Sequence, residues 1–117
     1  MATFTKLPLT GASNGLPILV VATASAGTTI HTAVAGTTNL DEIWLWATNN
    51  HTGPVDLSIE YGGTSSPLNI IKSSIDAQKG GFLILPGFIL QNGLLVRAFA
   101  GVTNVVSLHG FINRITA

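Results

Sequence analysis

The sequence predicts an all-β fold: a single-domain antiparallel β-sandwich over residues 1–117, jelly-roll-like in its winding and with little helix. Three observations carry that expectation. Short hydrophobic runs recur along the whole chain with glycine-rich turn chemistry between them. Within Val55 to Tyr61, Leu57, Ile59 and Tyr61 alternate with Asp56, Ser58 and Glu60, the period of two that belongs to a pleated strand. No stretch of helical length shows apolar spacing of three and four residues with caps at its ends.

About nine runs qualify as strands. They lie near Phe4 to Thr10, Pro17 to Thr23, Thr28 to Val34, Leu40 to Thr48, Val55 to Tyr61, Leu68 to Ile75, Gly81 to Leu85, Leu94 to Ala100 and Val105 to Ile115. The alternation in Val55 to Tyr61 predicts one buried face and one wet face. Ile43-Trp44-Leu45-Trp46-Ala47 is apolar on both faces, as expected of a strand with core on one side and another layer or subunit on the other. Asn92-Gly93, between Phe88-Ile89-Leu90 and Leu94-Leu95-Val96, suits a type I′ hairpin turn, which needs positive φ at both central residues. The one helix candidate is a turn or two around Ser73 to Lys79.

An internal echo stands out. Ala33 to Leu40 and Ala98 to Val105 share the pattern Ala-x-Ala-Gly-x-Thr-Asn followed by an apolar residue. Either two connections adopted the same Gly/Thr/Asn turn chemistry independently, or the sandwich is pseudo-symmetric and both loops lie at one end, facing one partner.

Composition narrows the function. Charged residues are 9% of the chain, and five basic and five acidic residues cancel to a formal net charge of zero. So weakly charged a surface favours association, which points to a homo-oligomer. Without cysteine, neither disulfides nor thiolate metal ligands are available. The longest nearly apolar stretch, Gly81 to Leu90, is interrupted by Pro86 and is about half the length of a membrane-spanning helix. Lys6, the run Leu16 to Ala22 and Ala24-Ser25-Ala26 have the outline of a signal peptide. Pro17 and the β-branched character of that run favour a strand instead, so synthesis in the cytoplasm without cleavage is expected.

Catalytic and binding motifs are sparse. Gly11-Ala12-Ser13-Asn14-Gly15 matches the nucleophile elbow G-x-S-x-G, but the elbow needs a helix after it, and Leu16-Pro17-Ile18-Leu19-Val20 reads as a strand. His31, His51 and His109 stand singly, with no second ligand at metal-binding spacing. Asp56 and Glu60 share a strand face ~13 Å apart, too far for a glycosidase pair. Asp41 and Glu42 point to opposite faces, and solvated strand positions account for all four carboxylates. Lys6, Lys72, Lys79, Arg97 and Arg114 are too dispersed for a nucleic-acid stripe. No catalytic residue, metal ligand or cofactor site is therefore assigned, and an enzyme is not expected. Trp44, Trp46 and Thr48 lie on one face; Tyr61, beside Gly62-Gly63, is the aromatic best placed for exposed stacking.

The stretch from Gly27-Thr28-Thr29-Ile30-His31-Thr32-Ala33 through Asp41-Glu42-Ile43-Trp44-Leu45-Trp46-Ala47 resembles small proteins of tailed-bacteriophage structural modules. Leu57-Ser58-Ile59-Glu60-Tyr61-Gly62-Gly63-Thr64, Leu85-Pro86-Gly87 and His109-Gly110-Phe111-Ile112-Asn113-Arg114-Ile115 extend the likeness over most of the chain. The resemblance implies a capsid decoration or cement protein in the virion: a β-sandwich, often trimeric, seated on the outer surface of the head and bridging major capsid protein subunits, with neither nucleic acid nor membrane as partner. The residues expected to make contacts are Trp44 and Trp46, with the loops Gly36, Thr37, Thr38, Asn39 and Gly101, Val102, Thr103, Asn104. A tail-fibre or receptor-binding tip and a secreted carbohydrate-binding module are the alternatives.

Overall fold

The computed structural model describes residues 2–117. Nine strands form where the nine runs lie: β1 (Thr3–Pro8), β2 (Ile18–Leu19), β3 (Thr28–Thr32), β4 (Leu40–Asn49), β5 (Val55–Tyr61), β6 (Ile70–Ile75), β7 (Gly81–Leu90), β8 (Leu95–Ala100) and β9 (Val106–Thr116). The pairings β5 with β6, β4 with β7, β3 with β8 and β2 with β9 nest one inside another, all antiparallel. The chain is thus one long ribbon doubled back on itself at the β5–β6 hairpin. Rolling that ribbon adds the pairs β4 with β9 and β5 with β8. Two sheets result: β1-β9-β4-β7, with β2 also on β9, and β3-β8-β5-β6. This is the winding of a jelly roll.

The core lies between the sheets. Along β4, Asp41, Ile43, Leu45, Ala47 and Asn49 are buried while the residues between them are only half-covered, so the pleat of β4 turns Trp44 and Trp46 to the outside. Ile43, Leu45, Leu108 and Ile112 from the first sheet meet Leu57, Ile59, Val96 and Ala98 from the second, each buried. Full burial of each Leu or Ile contributes about 2 kcal/mol. At Gly110, opposite Leu45, a Cβ would stand 2.0 Å from the Trp44 carbonyl oxygen; only glycine lets β4 and β9 approach this closely.

Several expectations change in the folded chain. The outer side of β5 is wet at Asp56 but not at Ser58 and Glu60, which are 5% and 1% exposed. The chain leaves β2 after Leu19 and crosses this side of the second sheet, where Ser25 Oγ and Gly27 N–H both donate to the Glu60 carboxylate. Asp41 is buried too, so solvated strand positions account for Glu42 and Asp56 but not for Asp41 and Glu60. Asn92 and Gly93 do have positive φ, 63° and 67°, yet the strands they join pair in different sheets. That turn is a corner between layers, and its amides donate to Gly36 and Val34 carbonyls. Ser73 to Lys79 is the end of β6 and a turn, with no helix.

β7 runs on through Pro86 and Gly87 to Leu90, beyond the run Gly81 to Leu85 expected of this strand. Its register against β4 slips between Ile43 and Trp44, leaving Gly87 at φ +79° as the extra residue of a bulge. β7 is an edge strand, where a proline and a bulge are tolerated and discourage further strand pairing.

Candidate interaction face

The outer face of the first sheet follows from its register. One row across β1, β9 and β4 is Pro8, Phe111, Trp44; the next is Lys6, Asn113, Glu42; a third pairs His109 with Trp46. On β7, Ile89 lies opposite Glu42 and Leu83 opposite Trp46. Trp44, Trp46 and Phe111 form a triangle with ring centroids 6.1 to 6.3 Å apart and planes inclined by 17° to 30°, an offset-parallel arrangement that aromatic quadrupoles favour. The bulge makes room for it. A Cβ on Gly87 would lie 2.9 Å from Trp44 Cζ2, so the indole reaches across the position where a side chain would stand.

Around this triangle the face is open and mixes exposed apolar side chains with polar ones. Phe4, Ile89 and Leu83 are 69%, 55% and 48% exposed. Its ionisable groups are Lys6, Glu42 and His109. The Lys6 ammonium sits 4.2 Å from the Phe111 ring centroid, a cation–π contact. Trp44 Nε1–H donates to Glu42 Oε1 at 2.6 Å and Asn113 Nδ2–H to the same oxygen at 3.2 Å. Those two hydrogen bonds, the indole's foremost, hold the Glu42 carboxyl below its ordinary value.

A polar knot closes one end of the interior. Asp41 Oδ2 takes the His31 Nε2–H at 2.8 Å and the Val34 N–H at 3.0 Å, while Arg114 donates to both carboxylate oxygens. His31 Nδ1 accepts the Thr10 N–H at 3.1 Å, which fixes the neutral tautomer with its proton on Nε2. A carboxylate beside an imidazole is the pairing used to activate nucleophiles, but here both ring nitrogens are engaged and the pair is fully buried. Its geometry is that of a tie between sheets. Ser13 lies in the turn before β2, followed by a strand and not by a helix. Among the described residues, no three potential metal ligands converge.

The expected contact residues separate into three places. Trp44 and Trp46 belong to the face, joined by Phe111 and Lys6. The Gly36 to Asn39 loop precedes β4, whereas the Gly101 to Asn104 loop precedes β9, whose first residues pair with the far end of β4. The two loops cap opposite ends of the sandwich, ~30 Å apart along β4. The echo is therefore turn chemistry used twice. Tyr61 is not a free stacking residue: its hydroxyl donates to the Ile89 carbonyl and its ring meets Phe88 edge-on. Burial pushes its phenol up to about 12. Phe111 and Lys6 escaped the sequence reading because each is unremarkable on its own strand; only the register of β9 with β1 and β4 brings them to the tryptophans.

Fold and face together define a jelly-roll β-sandwich with an aromatic outer sheet. Comparison with protein-family models, with curated proteins and with solved structures finds no match for this chain.

Proposed function

We propose that this protein is a non-enzymatic structural subunit that works by laying the outer face of its first sheet against other protein chains, and that it does so as a decoration or cement subunit on the head of a tailed phage. The observation that carries the docking role is the Trp44, Trp46 and Phe111 triangle, which lies on the outside of the sandwich with exposed Phe4, Leu83 and Ile89 around it. Exposed apolar and aromatic surface of this kind marks interaction sites, and aromatic residues dominate interface energetics. Placement on a phage head is supported by the resemblance of the strand segments and by a surface with little charge to oppose permanent contacts.

The mechanism is mass action. A subunit that binds the assembled shell and not its free precursors stabilises the shell by RT ln(1 + [L]/Kd) at each copy. Self-association adds effective concentration without new contacts. The joint variant Trp44→Ala and Trp46→Ala tests the reading by native mass, particle binding and thermal melting together. Loss of self-association and particle binding, with the fold retained, is expected. A variant that keeps both and only melts earlier overturns it. Quantitative mass spectrometry of purified particles separates a head protein, at hundreds of copies, from a tail tip at a few.

A further inference from the structure

We propose that the partner of this face is a second copy of the chain, docked about a two-fold axis that runs along β9, so that Lys6 of each copy pairs with Glu42 of the other. The inference rests on the reading of the face as a docking surface and names its occupant. Lys6 and Glu42 occupy one row of the sheet, with Asn113 of β9 between them. Two strand spacings, about 10 Å, keep them from meeting within one chain. Each is nonetheless held in place: the ammonium over Phe111, the carboxylate by the Trp44 indole and Asn113.

A cation and an anion in the same row, equidistant from a central strand, form a self-complementary pattern. Turning a second copy about β9 reverses the row, so that Lys6-Asn113-Glu42 lies over Glu42-Asn113-Lys6 and both charges are matched twice. The same turn sets Phe111 on Phe111 and Trp44 against Pro8. A two-fold axis across the strands has no such effect, because it lays β1 over β1 and leaves Lys6 facing away from Glu42. Packed sheets stand ~10 Å apart, a gap that a lysine and a glutamate together span. Aligned sheets cross at about 30°; one strand from the axis, that displaces the paired groups by only ~2–3 Å.

With the axis on β9, β1, β9 and β4 of one copy overlie β4, β9 and β1 of the other, and β7 extends beyond the overlap. Three strands about 4.8 Å apart and a ten-residue ladder give ~475 Å² per copy, so a pair buries ~950 Å², the size of a small specific interface, and the aromatic row and the two ion pairs carry the affinity. An isologous contact of this kind closes on itself as a dimer.

Charge reversal tests the geometry by sedimentation and native mass at micromolar concentration, with thermal melts to show that each variant is folded. Wild type is expected to be dimeric. Lys6→Glu and Glu42→Lys each place two like pairs in the interface, and each should weaken self-association more than tenfold. Glu42→Gln keeps the acceptor for the Trp44 indole and should weaken it less. Mixing Lys6→Glu with Glu42→Lys should yield a heterodimer, and the doubly reversed variant should dimerise again. Single variants that dimerise like wild type, or a mixture that stays monomeric, overturn the proposal. A monomeric or trimeric wild type overturns it too; if Trp44→Ala with Trp46→Ala still abolishes particle binding, the broader docking role survives, and if it does not, both readings fall.

Discussion

His31 on β3 and Asp41 on β4 meet at 2.8 Å across the interior, so a polar pair ties together two sheets whose shared core is mainly apolar. Burial lowers the His31 pKa from its ordinary 6.5, and the Arg114 charge adds to this, more than offsetting the Asp41 hydrogen bond and charge that raise it. The neutral tautomer also receives the Thr10 N–H, which an imidazolium cannot accept.

A definite pH dependence follows. Because the folded value lies below the unfolded one, the unfolded chain binds more protons as pH falls through 6.5, and stability must fall with it. Thermal melts from pH 8 down to pH 5 should show a decreasing Tm, with the drop beginning near pH 6.5. In His31→Gln that part of the dependence should vanish, at the cost of a lower Tm throughout. A wild-type Tm that is flat or rising over this window contradicts the assignment of a buried neutral imidazole.

Asp41 should matter more than His31. Burial alone would raise its carboxyl, but hydrogen bonds from Arg114 and His31, the Arg114 charge and the Val34 N–H together hold it below its ordinary 3.8. The stability it contributes is present above that value and is lost as pH falls below it. Asp41→Ala strands the His31 N–H, the Val34 N–H and a guanidinium whose side chain is 28% exposed. Orphaning buried polar and charged groups costs about 3–5 kcal/mol, and the partly exposed Arg114 places the loss at the lower end. Urea unfolding of the variant measures it directly.

The positions of Asp41 and Glu60 mark the limit of what was legible in the sequence. Strand content was legible because alternation and turn chemistry are local, and the two-sided apolarity of Ile43 to Ala47 announced a strand with core on one side and something else on the other, without telling which side Trp44 and Trp46 take. Coverage of an outer face depends on where distant chain crosses it. Nothing within Val55 to Tyr61 reveals that Ser25 and Gly27 will lie over Glu60, and nothing around Asp41 reveals that Arg114 will arrive opposite it. Asn92-Gly93 carries the same lesson, since its turn geometry is local but the choice between hairpin and layer crossing is made by which strands pair.

Two glycines on either side of Trp44 should respond differently to the same added methyl group. At Gly110 the new Cβ would stand 2.0 Å from the Trp44 carbonyl oxygen. Backbone on both sides is fixed by the β4–β9 ladder, so neither strand can yield without breaking hydrogen bonds. Gly110→Ala should therefore cost several kcal/mol, on the scale of the largest single-residue effects, or prevent folding. At Gly87 the obstacle is the end of the Trp44 indole, 2.9 Å away, and a side chain can swing aside. The residual cost is that of a non-glycine residue at φ +79°, about 1–2 kcal/mol. Gly87→Ala should fold, with a modest drop in stability and altered tryptophan fluorescence as the indole leaves its place beside Phe111. Equal effects at the two positions would mean that the close approach of β4 to β9 is not the constraint that holds Gly110.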